Sequence, residues 1–370
     1  MGSLPSPPSP RAPSAASSGN SAANHRLWAS FCPAKPTPNT RMTNWIAYYD
    51  LSNNSWNRIG FIPGLEENQI LKGFAMVAVG ESIFIIGGRL CRKEVVHESD
   101  EVNEVDIGVL ATVYRYDIGN NLWSRCAPLG TPRFDFAYTV YDNKIYVAGG
   151  QCTSGSARGI SSAELYNLDV DTWTPLPKMS TLRYKSGGVP WQGKIHVVGG
   201  FAEREDAGQP ELYNMLRSSA EVFDPRRGEW DLVEGIWQLD IPPNQIVAVE
   251  GRLFSSGDCL NTWKGHIDVY DGQLNIWNVV NGSKVQNLSS LISTSDANMP
   301  IKMRYVSMAP IGTHLYFIAG YRMIGELGGS ISVVHAFDTS ARSDPWKSSE
   351  PIEEEMDKEL CSHCCVVQVS

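Results

Sequence analysis

The chain lacks any apolar run long enough to cross a membrane. A membrane-spanning helix needs about 18 or more consecutive apolar residues, and no such run occurs in these 370 residues. Basic residues are also in deficit, with 31 Lys and Arg against 40 Asp and Glu and a formal net charge of −9. Because contacts to a phosphate backbone need a basic face, the sequence predicts neither a membrane span nor a nucleic-acid partner.

Acidic residues are missing from the first part of the chain, where the first carboxylate is that of Asp50. Residues 1–43 are rich in Ser, Pro and Ala, and we expect a disordered tail there. The start lacks the apolar core of a secretory signal, but an acid-free, Ser-rich leader with scattered arginines also fits an organellar transit peptide. We therefore predict a cytoplasmic and/or nuclear protein, with the chloroplast or another organelle as the alternative.

Cysteine and histidine are sparse, at eight and seven residues, and this limits the metal chemistry that the chain can offer. Five cysteines stand alone in the sequence, as expected for reduced thiols inside a cell. Cys361, His363, Cys364 and Cys365 invite a zinc interpretation, but a structural zinc site usually needs a second, well-separated ligand pair. Because we find no such pair, we predict no metal and no other cofactor.

What the sequence does contain is a repeat. A Tyr or Phe followed by Asp or Asn precedes a Trp, with six residues from Asp or Asn to Trp in five copies and two more in a sixth. The tryptophans of the six copies are Trp56, Trp123, Trp173, Trp230, Trp277 and Trp346. They are 47 to 69 residues apart, and this regularity indicates a tandem structural repeat.

A second motif alternates with the first. Short apolar runs end in glycine pairs at Gly87 and Gly88, Gly149 and Gly150, and Gly199 and Gly200, with degenerate copies at Gly257 and Gly320. Another apolar stretch and a turn precede each run, which is the signal of a β-hairpin. The glycine pairs lack the helix context and the lysine of a phosphate-binding loop. The unit therefore predicts four strands, A to D, with short A–B and C–D turns.

The set of Gly-Gly, Tyr-Asp and Trp at a period near 50 residues resembles the kelch family over about residues 44–347. The resemblance implies an all-β fold, a kelch-type β-propeller built of four-stranded blades. It also implies structural roles for the six tryptophans and the glycine pairs. The aromatic rings would pack between blades, and the glycines would stand where a side chain crowds the neighbouring sheet.

Closure of the ring is the least complete part of the pattern. Six C–D units are present but only five A–B hairpins, because no hairpin precedes the unit around Tyr49. We predict six blades, with an incompletely populated closing blade that receives one strand from residues 361–370. A five-bladed ring with extra strands, or truncation of a longer parent, is the alternative. The predicted domains are the tail 1–43, the propeller 44–347 and an acidic tail 348–370.

In an antiparallel blade the B–C loops and the connections between blades emerge on one face, and long B–C loops make this loop face the expected binding surface. Three basic–aromatic pairs open strand A, each 16 residues before a glycine: Arg133 and Phe134, Arg183 and Tyr184, and Arg304 and Tyr305. Arg89, Phe201 and Tyr321 begin B–C loops, and Trp263 lies within one. These residues predict a rim that binds an acidic or phosphorylated peptide of a protein partner. The alternative is that the arginines bond backbone carbonyls or acids between blades.

We predict a non-enzymatic protein-interaction module. Many of the kelch proteins that the chain resembles are substrate receptors of ubiquitin ligases, with an F-box or BTB domain ahead of the propeller. Residues 1–43 are too short for either domain, so the chain resembles plant F-box/kelch proteins without a recognisable F-box, and a ligase pathway is a hypothesis. The alternative is a metal-dependent enzyme on a kelch propeller, of the oxidase or specifier-protein type. The sequence has no Glu, Asp and His at the spacing of the specifier iron motif.

Overall fold

The computed structural model describes residues 24–35, 41–95, 102–203, 216–238, 241–292, 301–324 and 329–369. Apart from a 3-10 helix at Leu288–Leu291, the elements delimited in these ranges are strands. Six antiparallel sheets, each with four strand positions, follow one another around a ring. The fold is therefore all-β, and it is the six-bladed propeller that the repeat predicts.

The strands of each blade are given from the inside of the ring outwards. The first blade contains β31 (Cys365–Gln368) with β30 (Lys358–Leu360), then β1 (His25–Pro33), β2 (Trp45–Asp50) and β3 (Ser55–Phe61). The second contains β5 (Ala75–Val79), β6 (Ser82–Ile86), β9 (Val113–Asp117) and β10 (Leu122–Cys126). The third contains β11 (Ala137–Tyr141), β12 (Lys144–Ala148), β13 (Ala163–Asn167) and β14 (Thr172–Leu176).

The other half of the ring is built in the same way. The fourth blade contains β16 (Gly187–Trp191), β17 (Lys194–Val198), β19 (Ala220–Asp224) and β20 (Glu229–Val233). The fifth contains β21 (Ile246–Val249), β22 (Arg252–Ser255), β23 (Asp268–Asp271) and β24 (Ile276–Val279). The sixth contains β25 (Ile301–Ile311), β26 (His314–Met323), β27 (Ser330–Asp338) and β28 (Trp346–Ser348), with β29 (Ile352–Glu354) also on β27.

Two small sheets stand on the loop face of this ring. One is three-stranded, from β4 (Gln69–Lys72), β7 (Arg89–Val95) and β8 (Val102–Val109), and the other pairs β15 (Leu182–Tyr184) with β18 (Phe201–Glu203). The innermost strands adjoin one another in the order β31, β5, β11, β16, β21 and β25, and β25 adjoins β31 again. They enclose a central channel of about 730 Å³.

The closing blade corrects two expectations from the sequence. Residues His25–Pro33, within the predicted disordered tail, form the buried strand β1, which pairs with β2 on one side and with β30 and β31 on the other. All four strand positions of the blade are therefore filled, and an incompletely populated closing blade was wrong. The physical reason is that an apolar stretch, from Leu27 to Cys32, buries fully once the two chain ends meet. Residues 1–23 of the predicted tail lie outside the described residues.

The spacing of the Tyr-Asp and Trp motif follows from one turn. The hydroxyl of Tyr49 donates to Asn54 Oδ1, and Tyr116, Tyr166 and Tyr270 make the same bond to the residue five positions on, each at 2.6 Å. Those acceptors have φ between 47° and 52°, a left-handed conformation that Asn and Asp tolerate better than most residues. The turn thereby fixes the distance from Tyr to Trp in the outer hairpin of each blade.

Each pair of neighbouring blades shares an aromatic layer. The third residue of strand B points at the next blade, where rings such as Tyr116, Tyr166 and Phe223 lie 5.8 to 6.3 Å away. The six residues at this strand position are Trp28, Phe84, Tyr146, His196, Phe254 and Tyr316. Five of them are aromatic and hydrophobic, and His196 of the fourth blade is the exception.

Candidate functional site

Arg133 joins the second and third blades instead of facing solvent. Its backbone carbonyl accepts a hydrogen bond from Gly88 N at 2.8 Å, in the second blade. Its guanidinium donates to the carbonyls of Gly149 and Ser162 at 2.9 and 3.0 Å and to Glu164 Oε1 at 2.5 Å, all in the third blade. The side chain is completely buried.

Arg183 repeats this arrangement one blade further on. Gly150 N donates to its carbonyl at 2.7 Å, and its guanidinium donates to Gly199 O at 2.8 Å and to Ser219 O and Oγ at 3.1 and 2.5 Å. The prediction that Arg133 and Arg183 bind a partner is therefore wrong. Their donors are consumed by blade carbonyls and acids, which was the structural alternative.

The first glycine of each pair is required by this contact. Gly149 has φ 68°, and a Cβ there would lie 2.5 Å from the carbonyl oxygen of Arg183. Gly87 stands in the same relation to Arg133, at 2.6 Å. The spacing of 16 residues between arginine and glycine is thus the signature of a blade junction.

Arg304 does not belong to the same series, although its spacing in the sequence is equal. His314 of the sixth blade pairs with Asp338 as Lys144 pairs with Asn167, so Ala319, not Gly320, corresponds to Gly149. Arg304 falls in a bulge of β25, outside the ladder, and its guanidinium lies 3.5 Å from Asp357. Its side chain remains 30% exposed. Tyr305, the next residue, is buried against Phe31 with ring centroids 5.5 Å apart.

Three further members of the predicted rim serve packing. Tyr321 is buried, and its hydroxyl lies 2.8 Å from His335 Nε2. Trp263 packs edge-on against Phe317, with ring centroids 5.7 Å apart. Phe134 is buried beneath the guanidinium of Arg89, which lies 5.7 Å from its ring and 2.7 Å from Asp106. The predicted partner contacts of Tyr305, Tyr321, Trp263 and Phe134 are therefore wrong, because these rings have little free surface.

Two predicted residues are brought together at an accessible position. Tyr184 and Phe201 are paired across the β15–β18 ladder, with their rings 5.0 Å apart at 34°, and both are half-buried. The guanidinium of Arg217 covers the Phe201 ring at 5.3 Å. Burial raises the pKa of the Tyr184 hydroxyl, and Arg217, Glu203 and Cys259 lie within electrostatic range of it.

The channel mouth adjoins this pair. Gly73, Asp135 and Lys185 take equivalent places ahead of strands β5, β11 and β16, all with positive φ, of 62°, 52° and 54°. Asp135 N donates to Gly73 O at 2.8 Å, and Lys185 N donates to Asp135 O at 2.7 Å. Burial raises the pKa of Asp135, and the cations of Lys185 and Arg89 oppose that rise. The Lys185 side chain is exposed.

An exposed leucine completes the surface, and sequence reasoning missed it. Leu260 is 73% exposed and follows Cys259, whose backbone N–H bonds Pro242 O at 2.9 Å. Lys185 acts on the Cys259 thiol, so Leu260 and Lys185 share one neighbourhood. We call Tyr184, Phe201, Lys185, Arg217 and Leu260 the loop-face cluster. The available signal was a lone leucine in a short loop between polar residues.

Metal and membrane sites were also considered in the described ranges. No three His, Cys, Asp or Glu side chains among the described residues are grouped so as to hold a metal ion. Cys361, Cys364 and His363 instead line the central channel at the closing blade. No helix within the described part of the chain is long and apolar enough to span a bilayer.

Comparison with known proteins gives one family and several relatives. A family model described as Kelch motif matches residues 132–180. F-box/kelch-repeat protein At1g16250 of Arabidopsis thaliana is 33% identical over 322 residues, which cover 83% of this chain and 76% of that protein. F-box/kelch-repeat protein At1g26930 of Arabidopsis thaliana is 27% identical over 259 residues, covering 65% and 54%. Kelch repeat and BTB domain-containing protein 12 of Homo sapiens is 26% identical over 206 residues, covering 52% and 30%.

Proposed function

The chain belongs to the kelch-repeat protein family, and on this premise we propose that it is a non-enzymatic interaction module that binds a protein partner through the loop-face cluster. The observation that carries the proposal is the stacked Tyr184–Phe201 pair beside Leu260 and the exposed Lys185. Rigid aromatic side chains next to an apolar anchor are the composition of an interface centre. Their positions on short strands of a closed ring would cost little ordering on binding.

The partner that fits this cluster is an extended peptide with an apolar side chain and a neighbouring acidic or phosphorylated one. Tyr184, Phe201 and Leu260 would receive the apolar group. Lys185 and Arg217 would face the acidic group, because no buried contact consumes the Lys185 ammonium. This assignment replaces Arg133 and Arg183, the cations that the sequence favoured, with two that are accessible.

We also propose a role in substrate recognition for a ubiquitin-ligase pathway. The support is that the relatives include proteins named F-box/kelch-repeat and Kelch repeat and BTB domain-containing. In such a pathway the propeller would hold the protein to be modified. Ligase subunits among the proteins that co-purify with the chain would support this part of the proposal.

The fifth blade supplies a matched pair of variants for the test. Leu260 and Leu274 are 73% and 67% exposed, but Leu260 lies on the loop face and Leu274 lies in a C–D turn on the opposite face. Wild type, Leu260→Ser and Leu274→Ser would each be used for affinity purification with mass spectrometry. We expect specific partners to be lost from Leu260→Ser and retained by Leu274→Ser. Equal recovery from both variants and from Phe201→Ser would contradict the proposal.

A further inference from the structure

His196 interrupts the aromatic layer between the fourth and fifth blades. The other five blades place Trp28, Phe84, Tyr146, Phe254 or Tyr316 at its strand position, and an imidazole is smaller than any of those rings. His196 is 6% exposed, and its Nδ1 has no hydrogen-bond partner among the described residues. Burial lowers the pKa of His196 to about 4, so the ring is neutral at pH 7.

A cleft of about 840 Å³ opens beside this histidine, at the junction of the two blades. Its aromatic walls are Trp191 and Tyr270, whose ring centroids are 5.7 Å apart, and the ring of His196 is 5.2 Å from that of Trp191. Both walls are held in place: Trp191 Nε1 donates to Gly251 O at 2.6 Å, and the Tyr270 hydroxyl donates to Asn275 at 2.6 Å. The cleft is therefore a built cavity with fixed rings.

The rim of the cleft carries two cations. Lys194 Nζ lies 3.4 Å from a carboxylate oxygen of Asp224, so its charge is largely matched. Arg252 is exposed and lies 5.1 Å from the Phe254 ring, and no carboxylate of the described residues is within salt-bridge distance of it. Gln192, Gln273 and Asn278 add side-chain amides to the lining, and Asp271 adds a carboxylate that already accepts from Gln273 N and Leu274 N.

We propose that this cleft binds a small planar aromatic molecule with an acidic group, such as an arene carboxylate or sulfonate. The aromatic ring enters between Trp191 and Tyr270, and the acidic group meets the guanidinium of Arg252. The imidazole of His196 forms the polar floor, where a phenyl ring would fill the space. The cleft opens at the A–B and C–D turns, on the face opposite to the loop-face cluster, so the inference is independent of the proposed function.

The test uses 8-anilinonaphthalene-1-sulfonate, a planar aromatic sulfonate whose fluorescence rises in an apolar pocket, titrated into the full chain. We expect saturable binding at one site in the wild type. Arg252→Gln should weaken binding about tenfold, the effect of losing one charge-assisted contact. His196→Phe, which installs the residue type of the other blades, should abolish it. Tyr146→Phe, at the same strand position in the third blade, should leave it unchanged.

Two results would overturn the inference. One is the absence of saturable binding by the wild type, and the other is equal binding by the wild type and Arg252→Gln. The second result would place the probe elsewhere, for instance in the central channel. Circular dichroism checks the fold of His196→Phe, and if that variant fails to fold, Arg252→Gln decides alone because its side chain is exposed. Leu260→Ser, on the loop face, should bind the probe like the wild type.

Discussion

Replacing Arg183 by alanine removes a buried cation that connects two blades. Four hydrogen bonds are lost: two to the carbonyls of Gly199 and Ser219, one to Ser219 Oγ and one from Nε to Thr181 Oγ1 at 2.7 Å. Thr181 and Ser180 in turn donate to Glu221, a carboxylate that is completely buried. Burial lowers the pKa of Arg183 to about 10, so it is still a cation at pH 7, and its loss leaves Glu221 without an opposite charge.

The expected cost is about 3–5 kcal/mol of unfolding free energy, the range for removing one partner of a buried charged pair. Arg304→Ala is the natural comparison, because the two arginines share their spacing to a glycine. Its guanidinium is 30% exposed and contacts Asp357 at 3.5 Å, so its removal should cost about 0–1 kcal/mol. The two variants therefore separate a junction residue from a surface residue.

Urea denaturation followed by circular dichroism measures the difference directly. We expect the midpoint of Arg183→Ala to fall clearly below that of Arg304→Ala, which should stay near the wild type. If Arg183→Ala unfolds within about 1 kcal/mol of the wild type, the junction role is refuted. A folded, equally stable Arg183→Ala that loses partners would instead restore it as a binding residue.

Three other changes follow from the structure. Gly149→Ala should cost about 1–3 kcal/mol more than Gly155→Ala, because both glycines have positive φ but only the first would place a Cβ 2.5 Å from a carbonyl; equal denaturation midpoints would disprove the close approach. Burial lowers the pKa of His335 to about 4, so stability is complete above pH 6.5 and falls as the pH drops towards 4, and this fall should be smaller in His335→Gln when unfolding is measured at pH 7 and pH 5. Deleting residues 358–370 removes β30 and β31 and should abolish cooperative thermal unfolding, whereas an unchanged transition would show that the ring does not need them.

The repeat was predictable because its chemistry is local. The Tyr hydroxyl, the left-handed residue five positions on and the Trp all belong to one outer hairpin, so their spacing is readable in any copy. Strand β1 was not predictable in this way. It pairs with residues more than 300 positions away, and its neighbours in the sequence resemble a disordered tail.

The arginines failed for a different reason. Spacing alone does not distinguish a side chain that faces the loop surface from one that turns into a blade junction. The substitution of Ala319 for the first glycine also shifts Arg304 by one residue relative to Arg133 and Arg183. The sequence did contain the signal of His196, because aligning the strand B runs shows one histidine among aromatic residues.

The central claim is that partners bind on the loop face, and hydrogen–deuterium exchange of the chain with and without a captured partner tests it most directly. We predict slower exchange in β15, in β18 and around Leu260, with no change in the C–D turns near Leu122 and Leu274. Protection confined to the C–D turns, with β15 and β18 exchanging as in the free chain, would contradict the account.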